Sequence, residues 1–209
     1  MEEFLRALLA RFLPDTGFRI HAFQGRSDLF RKLAPRLRAY KQWLPPDHRV
    51  IVVVDRDDDD CERLKQELER IAADAGLRTR SASGGEPWQV VNRIAIEELE
   101  AWYFGDWEAV CSAYPGVPHT VPARKNFRDP DAVPGGTWEA FERVLQKAGY
   151  FRTGLRKIEA AREIAAHLDP ARSRSRSFGK LYAVLLETTA SQAPDAKHAV
   201  ASTSSSSSR

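Results

Sequence analysis

Five aspartates crowd into six positions, Asp55 and then Asp57 to Asp60, with Arg56 among them and the apolar run Val50 to Val54 just before. If the backbone stays extended past that run, residues i and i+2 point the same way, which sets the Asp55 and Asp57 carboxylates close together. Two such charges repel, and one pKa rises, unless a cation joins them. A hard divalent ion with oxygen ligands, Mg²⁺ or Mn²⁺, removes the penalty, so the pair is expected to bind metal. Asp58, Asp59 and Asp60 lie where the next helix begins. Asp59 with Glu62 three residues on resembles a capping box, and acids there complement the positive end of the helix dipole, so these three are expected to cap and to be solvated.

A two-carboxylate site usually recruits a third acid, and "RIAIEELEAWYFGD" supplies Glu97, Glu98 and Glu100. On a helix, Leu99, Trp102 and Tyr103 take the buried side and leave Glu97 and Glu100 on a shared face. Glu100 is therefore a candidate metal ligand, and Glu100 with Glu97 are candidate catalytic groups. The alternative is a plain amphipathic helix start. Positioning of a phosphate backbone falls to basic residues, with Arg93 and the cluster Arg124, Lys125 and Arg128 as candidates. A second cluster, Arg172, Arg174 and Arg176, reads as solvated surface or as further phosphate contacts. A formal net charge of +3 is too mild to argue for nucleic acid by itself, because clustering on a face matters more than the total. His21 and His48 stand alone and are expected to be structural. Cys61 and Cys111 have no CxxC spacing and are expected to be inert packing residues.

The elements that must position these groups follow from periodicity. The run Val50 to Val54 is β-branched without alternation, as in a central parallel strand covered on both faces. "MEEFLRALLARFL" is an amphipathic helix with Phe4, Leu5, Leu8, Leu9 and Phe12 on one side. "FRIHAF" (18–23) is expected as a short strand, and Ser27 as the cap of a helix that Pro35 kinks or breaks before Pro45-Pro46. Residues 61–75 carry apolar groups at helical spacing and stop at Gly76. "LRTRSAS" (77–83) and "QVVNRIAI" (89–96) are expected strands. Beyond Trp107 the spacing predicts helices near 107–113, 137–148, 155–168 and 178–188. The expected organisation is an α/β core over 1–106, a mainly helical part of the same domain over 107–187, and a disordered tail over 188–209, whose serine-rich end cannot repay the entropy of ordering. With 43% hydrophobic residues and no apolar run of about 18, the chain is expected to be cytoplasmic, with no membrane partner.

The apolar strand ending in Asp55-Arg56-Asp57, followed by a helix and then by "EELEAW", resembles a TOPRIM domain, the metal-binding fold of topoisomerases, primases and OLD-type nucleases. More closely, residues 1–187 resemble a bacterial TOPRIM-like family, domain of unknown function 4276, related to RloB and OLD-type proteins. The likeness runs through "HAFQGRSDL" (21–29), the DxD, "IEELEAW" (96–102), "KIEAAREIA" (157–165) and "RSRSF" (174–178). It implies a mostly parallel TOPRIM-like sheet flanked by helices, with a helical C-terminal extension. It also implies a first strand ending in a glutamate; "MEEFL" corresponds to the start of the helix after that strand, so the strand and its glutamate are expected to be missing, with Glu2 and Glu3 too far into the helix to replace it. A start assigned too far downstream is the expectation, with a true truncation and a branch without catalysis as alternatives.

By that resemblance the function is Mg²⁺- or Mn²⁺-dependent nuclease or phosphodiester chemistry on nucleic acid, with an ATPase partner in bacterial defence. A catalytically inactive partner of an ATPase that binds metal or nucleic acid is the alternative. A glycosyltransferase using Asp55-Arg56-Asp57 as its DxD is a third, though it needs a nucleotide pocket and an acceptor site that the helical half does not suggest. Phosphatases of the HAD type also place DxD after a strand, but follow it closely with Thr or Ser, where this chain has Asp58 to Asp60.

Overall fold

The computed structural model describes residues 1–57 and 59–190, so Asp58 and most of the expected tail lie outside the described residues. Within them, eight helices flank a small sheet of two parallel strands, an α/β arrangement. In chain order the elements are α1 (Glu2–Phe12), α2 (Gly25–Trp43), β1 (Val50–Asp55), α3 (Cys61–Asp74), β2 (Val90–Ala95), α4 (Glu100–Gly105) and α5 (Trp107–Ala113). Three short 3-10 turns precede α6 (Thr137–Lys147), α7 (Lys157–His167) and α8 (Arg176–Ala190).

β1 and β2 pair in register from Val50 with Val90 to Asp55 with Ala95. Their β-branched side chains suit a pleated surface covered on both sides. Val52, Val54 and Val90 face α2 and α3, where Leu29, Leu33, Leu37, Leu64 and Leu68 close one core. Ile51 and Val53 point the other way, against a larger core. That core is aromatic at its centre. Phe4 of α1 lies 5.6 Å from Trp102 and 5.8 Å from Tyr103 of α4, Trp102 lies 5.3 Å from Phe178 of α8, and Tyr103 lies 5.2 Å from Phe141 of α6. Each such buried side chain is worth about 1.5–3 kcal/mol, so the packing of α1, α4, α6 and α8 carries this half of the molecule.

Several expectations change. The sheet has two strands among the described residues, so β1 is parallel and doubly covered but not central. Residues 18–23 form no strand; Phe23 packs into the α2–α3 core instead, and the Arg36 guanidinium lies over its ring at 5.7 Å. Residues 77–83 shrink to a single bridge from Thr79 to Val90, because the chain turns at once, with the Ala82 amide bonded to the Thr79 carbonyl. Helix α2 starts two residues before Ser27 and is held by Asp28, which accepts from the Gln24 amide at 3.2 Å. It then runs through Pro35, which sits on the exposed face where water can satisfy the Arg31 carbonyl that the ring deprives of its donor. Asp60, not Asp59, caps α3, accepting from the Arg63 amide at 2.7 Å, and Asp59 pairs with Arg26. Gly76, at φ +76°, ends α3 as expected, with the Leu77 amide returning to the Ala72 carbonyl. Helix α8 extends to Ala190, past the expected start of the tail at 188.

Two polar locks tie the helical half together. Asp106, between α4 and α5, is buried and accepts from Arg172 through both oxygens at 3.0 Å and from the Asp169 amide at 2.7 Å. Asp131, also buried, accepts from the Ser175 hydroxyl at 2.6 Å and from the Ser177 amide and hydroxyl at 3.1 Å. The segment "RSRSF" therefore fastens the start of α8 to the 3-10 turn Pro130–Ala132. Arg172, Arg174 and Arg176 are largely used within the fold, the last two bonding the Phe104 carbonyl and Asp129.

Candidate metal-binding and catalytic site

Asp55 ends β1 and Ala95 ends β2, so the loops that follow them open at the carboxyl edge of the parallel pair, where α/β proteins place their ligands. The pairing continues past the strands: the Arg56 amide bonds the Ala95 carbonyl at 2.9 Å and the Asp57 amide bonds the Glu97 carbonyl at 3.0 Å. Asp57 and Glu97 both take left-handed backbone conformations, φ 51° and 61°. An aspartate tolerates this better than a glutamate does, and two such residues facing each other across adjacent loops mark a strained, over-determined turn.

That turn rearranges the expected acids. Asp57 leaves the extended conformation, so it does not share a strand face with Asp55, and it stands exposed, although its charge still acts on Asp55. Glu97 precedes α4 rather than riding on it, and its carboxylate pairs with Arg56. Glu97 and Glu100 consequently share no helix face. Helix α4 is buried on all sides, and Glu100, only 4% exposed, points into the molecule. Glu98 takes the position expected for Glu97: its charge reaches both Asp55 and Glu100, and its Oε2 accepts from the Thr137 hydroxyl at 3.0 Å and the Trp138 amide at 3.1 Å, at the start of α6.

The electrostatics at this edge are unbalanced. Burial pushes the Asp55 carboxyl up to about 6, with the α-ammonium of Met1 opposing the shift and Asp57 and Glu98 adding to it. Burial likewise pushes Glu100 up to about 7, opposed by Lys157 and reinforced by Glu98 and Asp55. Lys157 Nζ lies 4.0 Å from Glu100 Oε1 and 4.5 Å from the centre of the Trp138 ring. Asp55 Oδ1 and the Tyr103 hydroxyl are both sealed from solvent without a hydrogen-bond partner, and burial raises the tyrosine further. An orphaned buried carboxylate oxygen among other hard oxygens fits a divalent ion. Among the described residues, however, no three His, Cys, Asp or Glu side chains converge closely enough to hold one in this conformation.

The basic candidates lie apart from the acids. Arg93, on β2, donates to the Lys180 carbonyl of α8 at 3.1 Å and to the Asn92 carbonyl at 3.0 Å, which turns it away from the carboxyl edge. Arg124, Lys125 and Arg128 are exposed on the 3-10 turns, whose Phe127 stacks 5.0 Å from Phe104 at the far end of α4. Sequence reasoning left Lys157 and Tyr103 out of the site and named Glu98 without choosing it. "KIEAAREIA" flags the first only as part of a motif, and the choice of Glu98 over Glu97 depends on a φ angle that no spacing reveals.

A family comparison places the chain: its sequence model matches residues 1–186, and the protein belongs to the family described as a domain of unknown function (DUF4276). Searches of the curated proteins and of the solved structures find no match. No helix among the described residues is long and apolar enough to cross a membrane.

Proposed function

We propose that this protein is a TOPRIM-type, metal-dependent phosphodiester-processing protein that acts on nucleic acid at the carboxyl edge of β1 and β2. The observation that carries this reading is the buried, unpartnered Oδ1 of Asp55 beside a second buried carboxyl, Glu100. Asp55, Asp57 and Glu100, with Glu98, would hold Mg²⁺ or Mn²⁺, which when bound supplies neutralisation of charge at the phosphate oxygens and a more acidic water. The Thr137 hydroxyl and Trp138 amide fix Glu98 in place. Glu100, at about 7, is suited to exchange a proton near neutral pH. Lys157 offers an ammonium beside Glu100 for a phosphate oxygen, while Arg124, Lys125 and Arg128 are exposed on the surface for looser backbone contact.

The test is cleavage of single- and double-stranded DNA and RNA with Mg²⁺, Mn²⁺ or EDTA, comparing the native chain with Asp55→Asn and Glu100→Gln. Cation-dependent cleavage lost in both variants is expected. Cleavage equally strong in Asp55→Asn would place the chemistry elsewhere. A Mn²⁺-induced rise in melting temperature that needs Asp55, with no cleavage even beside an ATPase partner, would favour the non-catalytic role.

A further inference from the structure

Helix α2 carries six cations, Arg26, Arg31, Lys32, Arg36, Arg38 and Lys41, against one acid, Asp28. Asp28 is buried beneath Arg31 and Lys32 and is neutralised by them. Lys32, Pro35, Arg36, Ala39, Tyr40 and Trp43 line a shallow, open stretch of surface along one face, at the i, i+4, i+7, i+11 spacing of a helical stripe. Trp43 is 62% exposed, an unusual cost for so large an apolar ring, and it is held edge-to-face against Tyr40 at 5.2 Å. The loop before α2 adds Arg19 and His21; the charges of both Arg19 and Arg36 act on His21. Among the described residues neither Arg19 nor Arg36 has a carboxylate partner.

We propose that this face of α2 is a binding track for single-stranded nucleic acid, with Trp43 and Tyr40 as the base-stacking platform and Arg19 and Arg36 as phosphate contacts. An aromatic platform set on a basic helix face takes unstacked bases, whereas a duplex hides its base faces. A second copy of the chain would oppose like charges across this face. Arg26 pairs with Asp59 just past β1, so the amino end of α2 abuts the carboxyl edge of the sheet. From there to Trp43 the helix runs about 27 Å at 1.5 Å per residue, a length several nucleotides can follow. The track deepens the functional reading above, on which it rests for the chemistry but not for the binding.

The experiment is fluorescence anisotropy in EDTA with labelled dT and rU oligomers of about 12 nucleotides and a duplex of equal length. Native chain, Trp43→Ala, Arg36→Ala and Lys147→Ala, which removes an exposed cation at the end of α6, are compared, with circular dichroism confirming that each is folded. Single strands are expected to bind the native chain and Lys147→Ala alike. Trp43→Ala should weaken binding about 5- to 100-fold, and Arg36→Ala should lower the slope of log affinity against log salt by about 0.7. Undiminished binding in both α2 variants, no binding, or a preference for duplex would overturn the track. So would a dimer that Trp43→Ala dissociates without changing oligomer affinity. Because cation is absent, intact binding with failed cleavage elsewhere would bring down the phosphodiester reading alone.

Discussion

At the scale of single residues, the Asp55 and Glu100 carboxyls set a pH dependence with a definite sign. Their folded values, about 6 and about 7, lie above the ordinary 3.8 and 4.5, because burial disfavours their charged forms. The stability they contribute is therefore full below those ordinary values and is lost as pH rises through about 6 and then about 7. Thermal unfolding across that range should show a native chain that weakens toward neutrality, and an Asp55→Asn chain that weakens less. Near neutral pH the substitution should stabilise by about 1–2 kcal/mol, since a neutral amide needs no ionisation in a dry site. Saturating Mn²⁺ should reverse the order, raising the melting temperature of the native chain while leaving Asp55→Asn unmoved. An unchanged native melting temperature would count against the metal site.

At the scale of elements, the loops carry the consequences that periodicity does not reveal. The run Val50 to Val54 and the spacing of Leu64, Leu68 and Ala72 foretell β1 and α3, because both bury an apolar face whose period is printed in the residue types. The break between Ala95 and Glu100 is another matter. "EELEAW" has helical spacing throughout, yet hydrogen bonding between the Asp57 amide and the Glu97 carbonyl pulls Glu97 out of the helix and puts Glu98 in its place. Residues 18–23 and 77–83 have strand-like composition, but a strand needs a ladder partner, and only Thr79 finds one. Gly76 shows the legible case: its φ of +76° is what a helix-ending glycine is for. Gly76→Ala should cost about 1 kcal/mol in urea unfolding, all of it from the backbone, because a Cβ there meets only the Lys41 side chain at an ordinary 3.7 Å.

At the scale of the whole molecule, two large cores and a small cluster of Trp88, Val91 and Val184 share one thin sheet, and polar locks hold the largest of them. Composition alone made Arg172, Arg174 and Arg176 look like a surface cluster, since nothing in their spacing announces Asp106, more than sixty residues away. Removing that carboxylate leaves Arg172 only its outer contacts with Asp169 and the His167 carbonyl, and leaves the Asp169 amide without its acceptor, at a junction of α5 with the segment that leads into α8. Asp106→Ala should cost about 2–3 kcal/mol in chemical denaturation with an unchanged m-value. Arg176→Ala, which breaks only an exposed pair with Asp129, should cost less than about 1 kcal/mol. A difference of that kind between two arginines four residues apart is what distinguishes a lock from a solvated charge.

The position of Trp43 has an optical consequence. Of five tryptophans, Trp88, Trp102 and Trp107 are buried and Trp138 is half-covered under Lys157, which leaves Trp43 as the exposed indole. Native emission should then divide into a blue, quencher-resistant fraction and a red fraction from α2. Iodide, drawn to the surrounding cations, should extinguish the red fraction at lower concentration than the neutral quencher acrylamide does. The folded protein thus carries its own dye on one face.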